Sequence, residues 1–200
     1  MIDLITKLNS ITQSLLILIL SLSQFGYADQ EHAIFAGGCF WCIESDFEKI
    51  DGVTSAVSGY IGGQIANPSY PQVSSGTTGH TEAVKIVFDS SIISYSQLLT
   101  HFWVNIDPLD GDGQFCDRGS QYRSEIFYLS PSQQLAAQQS LNELVESAEL
   151  SGDIQTAITA ASEFYVAEEY HQDYHKKNPT RYNYYRWRCG RDSRLKQLWK

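Results

Sequence analysis

The chain predicts an α+β domain, a two-layer sandwich in which helices pack against a mixed or antiparallel sheet. Three observations carry this prediction. Strand-like and helix-like segments follow one another without an internal repeat, and no Pro/Gly/Ser-rich linker divides them. In addition, 200 residues with 42% apolar and 12% aromatic content suffice for one ordinary core. Five prolines and 14 glycines are too few for a fibrous or disordered protein.

Residues 1–28 read as an address: Lys7 precedes an apolar run from Leu15 to Leu22, and Gly26-Tyr27-Ala28 sets small residues where a signal is cut, after Ala28. The run is shorter than the roughly 20 residues of a spanning helix, so a periplasmic or extracellular protein without stable membrane insertion is expected. Residues 29–200 then form a single domain ending in a basic tail. Ala33-Ile34-Phe35-Ala36 is an apolar run stopped by Gly37-Gly38, as a buried strand should be. Phe40 to Ile50 reads as a helix with Glu44, Asp46 and Glu48 near its start. Glu82 to Phe88 alternates as a strand, and Ser94 to Val104 is a helix with Leu98, Leu99, Phe102 and Trp103 on its apolar side. Glu125 to Leu129 is another strand. Pro131 suits a first helical turn and opens a helix over Gln133 to Leu150, ended by Ser151-Gly152. Ile154 to Ala161 is a last strand. The Tyr- and Gly-rich stretches 51–80 and 105–122 read as loops polar enough to carry a site.

Net charge is −9, which excludes generic nucleic-acid binding through clustered cations. The charge is uneven, with +8 on residues 176–200 and −17 on the rest. A basic, aromatic run such as Tyr182 to Arg188 has the composition of a nucleic-acid stacking surface. A cationic tail folding back on an acidic body is the simpler account.

The chemistry begins at Gly37-Gly38-Cys39-Phe40-Trp41-Cys42. A cysteine that ends a strand and starts a helix receives backbone N–H groups and the positive helix end, which favours thiolate and makes Cys39 a nucleophile candidate. The Cys39-x-x-Cys42 spacing alone leaves three readings open: a redox dithiol, half of a zinc site with Cys116 and Cys189, or a nucleophile beside an incidental thiol. Zinc would lack a second Cys-x-x-Cys, and no metal is assigned. Two aromatics inside the spacing, Phe40 and Trp41, suit an apolar substrate group. His171-x-x-x-His175 has helical metal-pair spacing without a third ligand, and His80 is expected to brace its loop.

Gly38-Cys39-Phe40-Trp41, Glu44, Tyr60-x-Gly62-Gly63, Pro68-Ser69-Tyr70, Thr78-Gly79-His80-Thr81-Glu82, Phe102-Trp103, Asp107-Pro108 and Asp117-Arg118-Gly119-Ser120-Gln121-Tyr122-Arg123-Ser124 stand in this order. Together they closely resemble peptide methionine sulfoxide reductase A, from about Ile34 to Asn178. The resemblance implies a ferredoxin-like core and thiol-dependent reduction of methionine-(S)-sulfoxide, free or in proteins. By it, Cys39 attacks the sulfoxide sulfur and becomes a sulfenic acid. Glu82 matches the catalytic acid, Tyr70 and Tyr122 the hydroxyls that share the oxygen, Phe40 and Trp41 the S-methyl pocket, and Asp117 the anchor for the substrate backbone.

Without these motifs, Glu82 would read as an outward strand residue and Asp117 as half of a surface pair with Arg118. A donor working near neutral pH should instead be buried, with its pKa raised. Three thiols are candidates to resolve Cys39. Cys189 comes first, beside Arg188 and Arg191, where the family often keeps its resolving thiol; Cys42 is second, one helical turn away; Cys116 is third, beside the pocket. No cofactor is implied, only an external thiol such as thioredoxin. A monomer is expected. The rival readings are a thiol–disulfide oxidoreductase using Cys39 and Cys42, and a zinc-stabilised interaction module using all four cysteines.

Overall fold

A computed structural model describes residues 29–147 and 150–199, so the leader expected over residues 1–28 lies outside the described residues. Six strands form one sheet in the order β7-β6-β1-β3-β2-β8. They are β1 (Gln30–Gly37), β2 (Val53–Ile61), β3 (Thr81–Asp89), β6 (Ser124–Tyr128), β7 (Ala157–Ala160) and β8 (Tyr165–Val166). All pairings are antiparallel except β6 with β7. The helix α1 (Phe40–Phe47) joins β1 to β2, and α3 (Tyr95–Val104) lies between β3 and β6. With the central order β6-β1-β3-β2, this is the ferredoxin-like α+β core.

Alternation along β1 builds the two layers, because successive side chains leave opposite faces of a strand. Phe35 points to the helices and stacks on Phe47 of α1 and Phe102 of α3, with ring centroids 5.2 and 5.0 Å apart. Ile34 and Ala36 point the other way, onto Ile61, Ala83 and Phe127, under Phe164. The helix α4 (Pro131–Ser147) covers the helical layer, where Trp103 donates its ring N–H to Ser140 at 3.0 Å.

Residues 51–80 do not form one loop as expected. They contain the nine-residue strand β2 and the short helix α2 (Tyr70–Ser74). Ser55, Ser58 and Gly59 hide the strand's apolar pattern, yet pairing with β3 runs from Val53 to Ile61 and sets Tyr60 opposite Glu82. Gly59 is required there, since a Cβ would stand 2.3 Å from Phe164 and 2.4 Å from the Tyr165 carbonyl. The 105–122 stretch likewise holds a small hairpin, β4 (Gly113–Gln114) and β5 (Asp117–Arg118), with Phe115 and Cys116 at its tip.

The basic tail folds into α5 (Tyr174–Lys177), α6 (Pro179–Cys189) and α7 (Arg191–Leu198) and docks on acids of the body. Arg186 grips both oxygens of Asp46 at 2.9 Å, and Arg194 meets Asp107 at 2.7 Å. Arg191 is buried. It donates to the carbonyls of Gly37 and Asn105 and lies 4.5 Å above the Phe115 ring. The acids of α1 therefore serve tertiary contacts and are not in its first turn as expected: Glu44 accepts from the Ser58 hydroxyl and the Asp173 N–H.

Candidate active site

Cys39 sits at the junction where β1 ends and α1 begins, as the N-cap residue. Gly38, at φ +85°, makes the turn, and a Cβ there would meet Gln114 at 2.6 Å. A cavity of about 70 Å³ opens at the Cys39 sulfur and is lined by Phe40, Trp41, Tyr70, Glu82, Asp117, Tyr122 and Tyr185. It has room for the methylsulfinyl end of one side chain and is far smaller than a cofactor site. Every residue the resemblance named for catalysis or substrate contact lines this cavity. Tyr185 was not anticipated.

The electrostatics of Cys39 differ from expectation. Burial pushes its thiol well above the usual cysteine range, helped by a hydrogen bond with Cys42 and the nearby carboxyls of Glu82 and Asp117. Desolvation of a residue only 6% exposed outweighs the helix N-terminus. Phe40 is buried at 1%, so the apolar wall is part of the core.

Glu82 lies in β3, 2% exposed, and burial raises its pKa to about 8. The Phe40 N–H donates to its Oε2 at 3.0 Å, which holds the carboxyl beside the cysteine and leaves Oε1 for a proton. Tyr70 and Tyr122 line the same space, and burial raises both pKa values, so both stay protonated donors.

Two residues of the 168–171 turn fix these groups, and the sequence did not single them out for that role. Glu168 accepts from the Tyr70 N–H and the Tyr60 hydroxyl, each at 2.8 Å. His171 accepts from the Trp41 ring N–H at 3.1 Å and packs 4.5 Å from the Tyr70 ring. His171 and His175 sit in separate elements and do not form the helical pair their spacing suggests. His80 braces its loop, accepting from the Gly63 N–H and contacting the Ile65 carbonyl. Asp117 is half-buried and does not pair with Arg118, which binds Asp110 instead. The Tyr185 hydroxyl donates to Asp117 Oδ2, and burial raises the Asp117 pKa.

The four cysteines divide into two pairs. Cys116 and Cys189 form a disulfide, while Cys39 and Cys42 are free and buried. Cys116 lies outside the cavity, exposed at the hairpin tip, and its N–H reaches the Cys189 sulfur at 3.1 Å. Cys189 Sγ stands 3.8 Å from Asp117 Oδ2, directly behind the cavity wall. Among the described residues, two groups have ligand-type atoms close together. In one, Cys116 and Cys189 are joined to each other; in the other, Lys176 already sits 2.8 Å from both Glu48 and Asp173. The four cysteines do not converge as a zinc module requires.

The family model for peptide methionine sulfoxide reductase matches residues 31–200. Peptide methionine sulfoxide reductase MsrA of Bacillus licheniformis is 49% identical over 170 residues, 85% of this chain and 94% of that protein. Peptide methionine sulfoxide reductase MsrA/MsrB of Vibrio cholerae is 47% identical over 86% of this chain, which spans 45% of that longer protein. Among solved structures, methionine sulfoxide reductase A of Corynebacterium diphtheriae superposes with TM-score 0.71 at 33% identity over 77% of each chain. Mxr1 of Saccharomyces cerevisiae, solved in complex with Trx2, shares the fold at TM-score 0.52 and 20% identity, over 76% of this chain and 91% of that one.

Proposed function

The chain belongs to the peptide methionine sulfoxide reductase family and is an oxidoreductase that reduces methionine-(S)-sulfoxide with external thiol; we propose that Cys39 is its nucleophile, with Glu82, Tyr70 and Tyr122 serving the sulfoxide oxygen. The observation that carries this assignment is the single small cavity in which these four side chains meet.

The substrate's S-methyl group packs on Phe40 and Trp41, and Asp117, oriented by Tyr185, accepts from the substrate backbone N–H. Cys39 attacks sulfur as negative charge grows on oxygen, where Glu82 supplies a proton and the two phenols donate hydrogen bonds. A thiol and a sulfoxide become a sulfenic acid and a thioether: Cys39 sulfur is oxidised by two electrons and methionine is released. A high thiol pKa at rest is compatible with this, because the proton transfer and the attack are coupled at the oxygen.

Cys189 is the resolving thiol, supported by its place behind Asp117. It condenses with the sulfenic acid, releasing water and forming a Cys39–Cys189 disulfide. Cys116 then attacks Cys189, which frees Cys39 and leaves the Cys116–Cys189 disulfide that the chain carries. Its exposure suits attack by a thioredoxin-like dithiol, and the Mxr1–Trx2 complex supports that class of partner. We further propose export through the leader, with cleavage after Ala28, and a monomeric enzyme. The mass of the mature protein and its light-scattering mass test these two points.

Turnover of dabsylated methionine-S-sulfoxide with dithiothreitol tests the assignment. Wild type is expected to be active and Cys39→Ser silent; an active Cys39→Ser would sink it. The rival thiol–disulfide oxidoreductase predicts disulfide exchange that survives Glu82→Gln.

A further inference from the structure

Two of the four thiols are spent in the Cys116–Cys189 disulfide while the thiol that meets the substrate is free. A chain in this state that meets a second sulfoxide before its reductant arrives forms a new sulfenic acid on Cys39, and neither Cys116 nor Cys189 has a thiol to offer. The sequence holds four cysteines, so the remaining thiol is Cys42.

We propose that Cys42 is a second resolving thiol, closing a Cys39–Cys42 disulfide when Cys116–Cys189 is already formed, so that the fully oxidised chain holds two disulfides and no sulfenic acid. The inference rests on Cys39 being the sulfoxide-reducing nucleophile. Cys39 is the N-cap of α1 and Cys42 lies one turn on, its N–H on the Cys39 carbonyl at 3.0 Å. One helical turn sets the two Cα atoms about 5 Å apart, within disulfide range, and the Cys42 side chain lies near enough to raise the Cys39 thiol.

Burial restricts Cys42 to this one partner. It is 2% exposed, absent from the cavity wall, and packed with Tyr174 and Tyr182 under Trp41 and Tyr185. Neither substrate nor an external dithiol reaches it. Its hydrogen bond with Cys39 lowers its pKa, and the Arg191 and Arg186 charges lower it further, against burial and Asp46.

The step balances: Cys39 sulfenic acid and the Cys42 thiol give one disulfide and one water. Its release runs through the outer pair. A dithiol reductant opens Cys116–Cys189, the Cys189 thiolate attacks Cys39 sulfur and expels the Cys42 thiolate, and Cys116 attacks Cys189 to restore free Cys39. The second turnover thus ends on a reducible bond and leaves no sulfenic acid open to overoxidation.

The test uses the fully reduced, desalted protein with excess methionine-(S)-sulfoxide, no reductant, and dimedone to trap sulfenic acid. Expected are two methionines per chain, loss of all four thiols, a Cys39–Cys42 peptide in non-reducing maps, and no dimedone on Cys39. The Cys42→Ser protein is expected to finish with dimedone on Cys39 instead. Two methionines with dimedone on Cys39 and an alkylatable Cys42 in wild type would overturn the inference, as would a single methionine. No methionine at all would instead sink the nucleophile assignment itself. The wild-type map decides the matter even where Cys42→Ser fails to fold.

Discussion

The inner and outer cysteine pairs each hold two sulfur atoms, in opposite surroundings. Cys39 and Cys42 are buried at a helix start, beside a neutral acid and two phenols; Cys116 and Cys189 lie at a hairpin tip and a helix end, with Cys116 open to solvent. The inner environment suits chemistry on a small uncharged group, because desolvation holds proton donors in their protonated forms. The outer one suits a macromolecular reductant, which needs a reachable sulfur. The fold thereby separates the site that accepts oxygen from the site that accepts electrons, and one wall residue, Asp117, touches both: it lines the cavity and stands 3.8 Å from Cys189.

The inner pair depends most completely on Cys39. Cys39→Ser is expected to reduce sulfoxide turnover to background with dithiothreitol and with thioredoxin alike. Glu82→Gln comes next, with a loss of about 10²–10⁴-fold. In wild type, kcat/KM should fall as pH rises through about 8, where Glu82 loses its proton, and this limb should vanish in the variant. A wild-type profile flat from pH 7 to 9 would remove Glu82 from the acid role.

The outer pair separates the two reductants. Cys189→Ser is expected to slow thioredoxin-supported turnover by roughly tenfold or more while dithiothreitol, small enough to reach Cys39, still supports it. Equal loss with both would place Cys189 inside the chemistry. Tyr185→Phe should act more weakly, raising KM by about fivefold through one lost hydrogen bond to Asp117 while leaving kcat nearly alone.

The smallest effect is on stability. Glu82 has a folded pKa of about 8 against an ordinary 4.5, so the folded chain binds more protons and the stabilisation is fully present below 4.5 and lost as pH rises toward 8. Glu44, raised to about 7 by burial, acts in the same direction. Thermal unfolding of Glu82→Gln should therefore fall less steeply between pH 5 and 8 than that of wild type.

The sequence exposed the chemistry more readily than the frame that holds it. Ala33 to Ala36 and Glu82 to Phe88 were legible because buried strands leave unbroken or alternating apolar runs, and the motifs around Cys39, Tyr70 and Tyr122 named the cavity wall. β2 was not legible, since Ser58 and Gly59 are small to admit neighbours that only the folded sheet brings close. The tail helices were also missed: their arginines answer Asp46 and Asp107, acids 140 and 87 residues away in the chain, and local periodicity carries no trace of such pairs. Glu168 and His171 hold Tyr70 and Trp41 from a turn whose one visible pattern, His171-x-x-x-His175, suggests a metal pair instead, and the 73-residue separation of the disulfide is invisible to spacing rules.

That disulfide is also a crosslink in the polymer sense. Closing a loop of this length removes chain freedom from the unfolded ensemble worth about 4 kcal/mol, and it joins the middle of the sequence to the last helices. On the proposed cycle each catalytic round ties the tail down, and each encounter with the reductant unties it. The enzyme is therefore expected to resist heat and proteases best when it is loaded with oxidising equivalents and waiting, and least in the moment after it has been recharged.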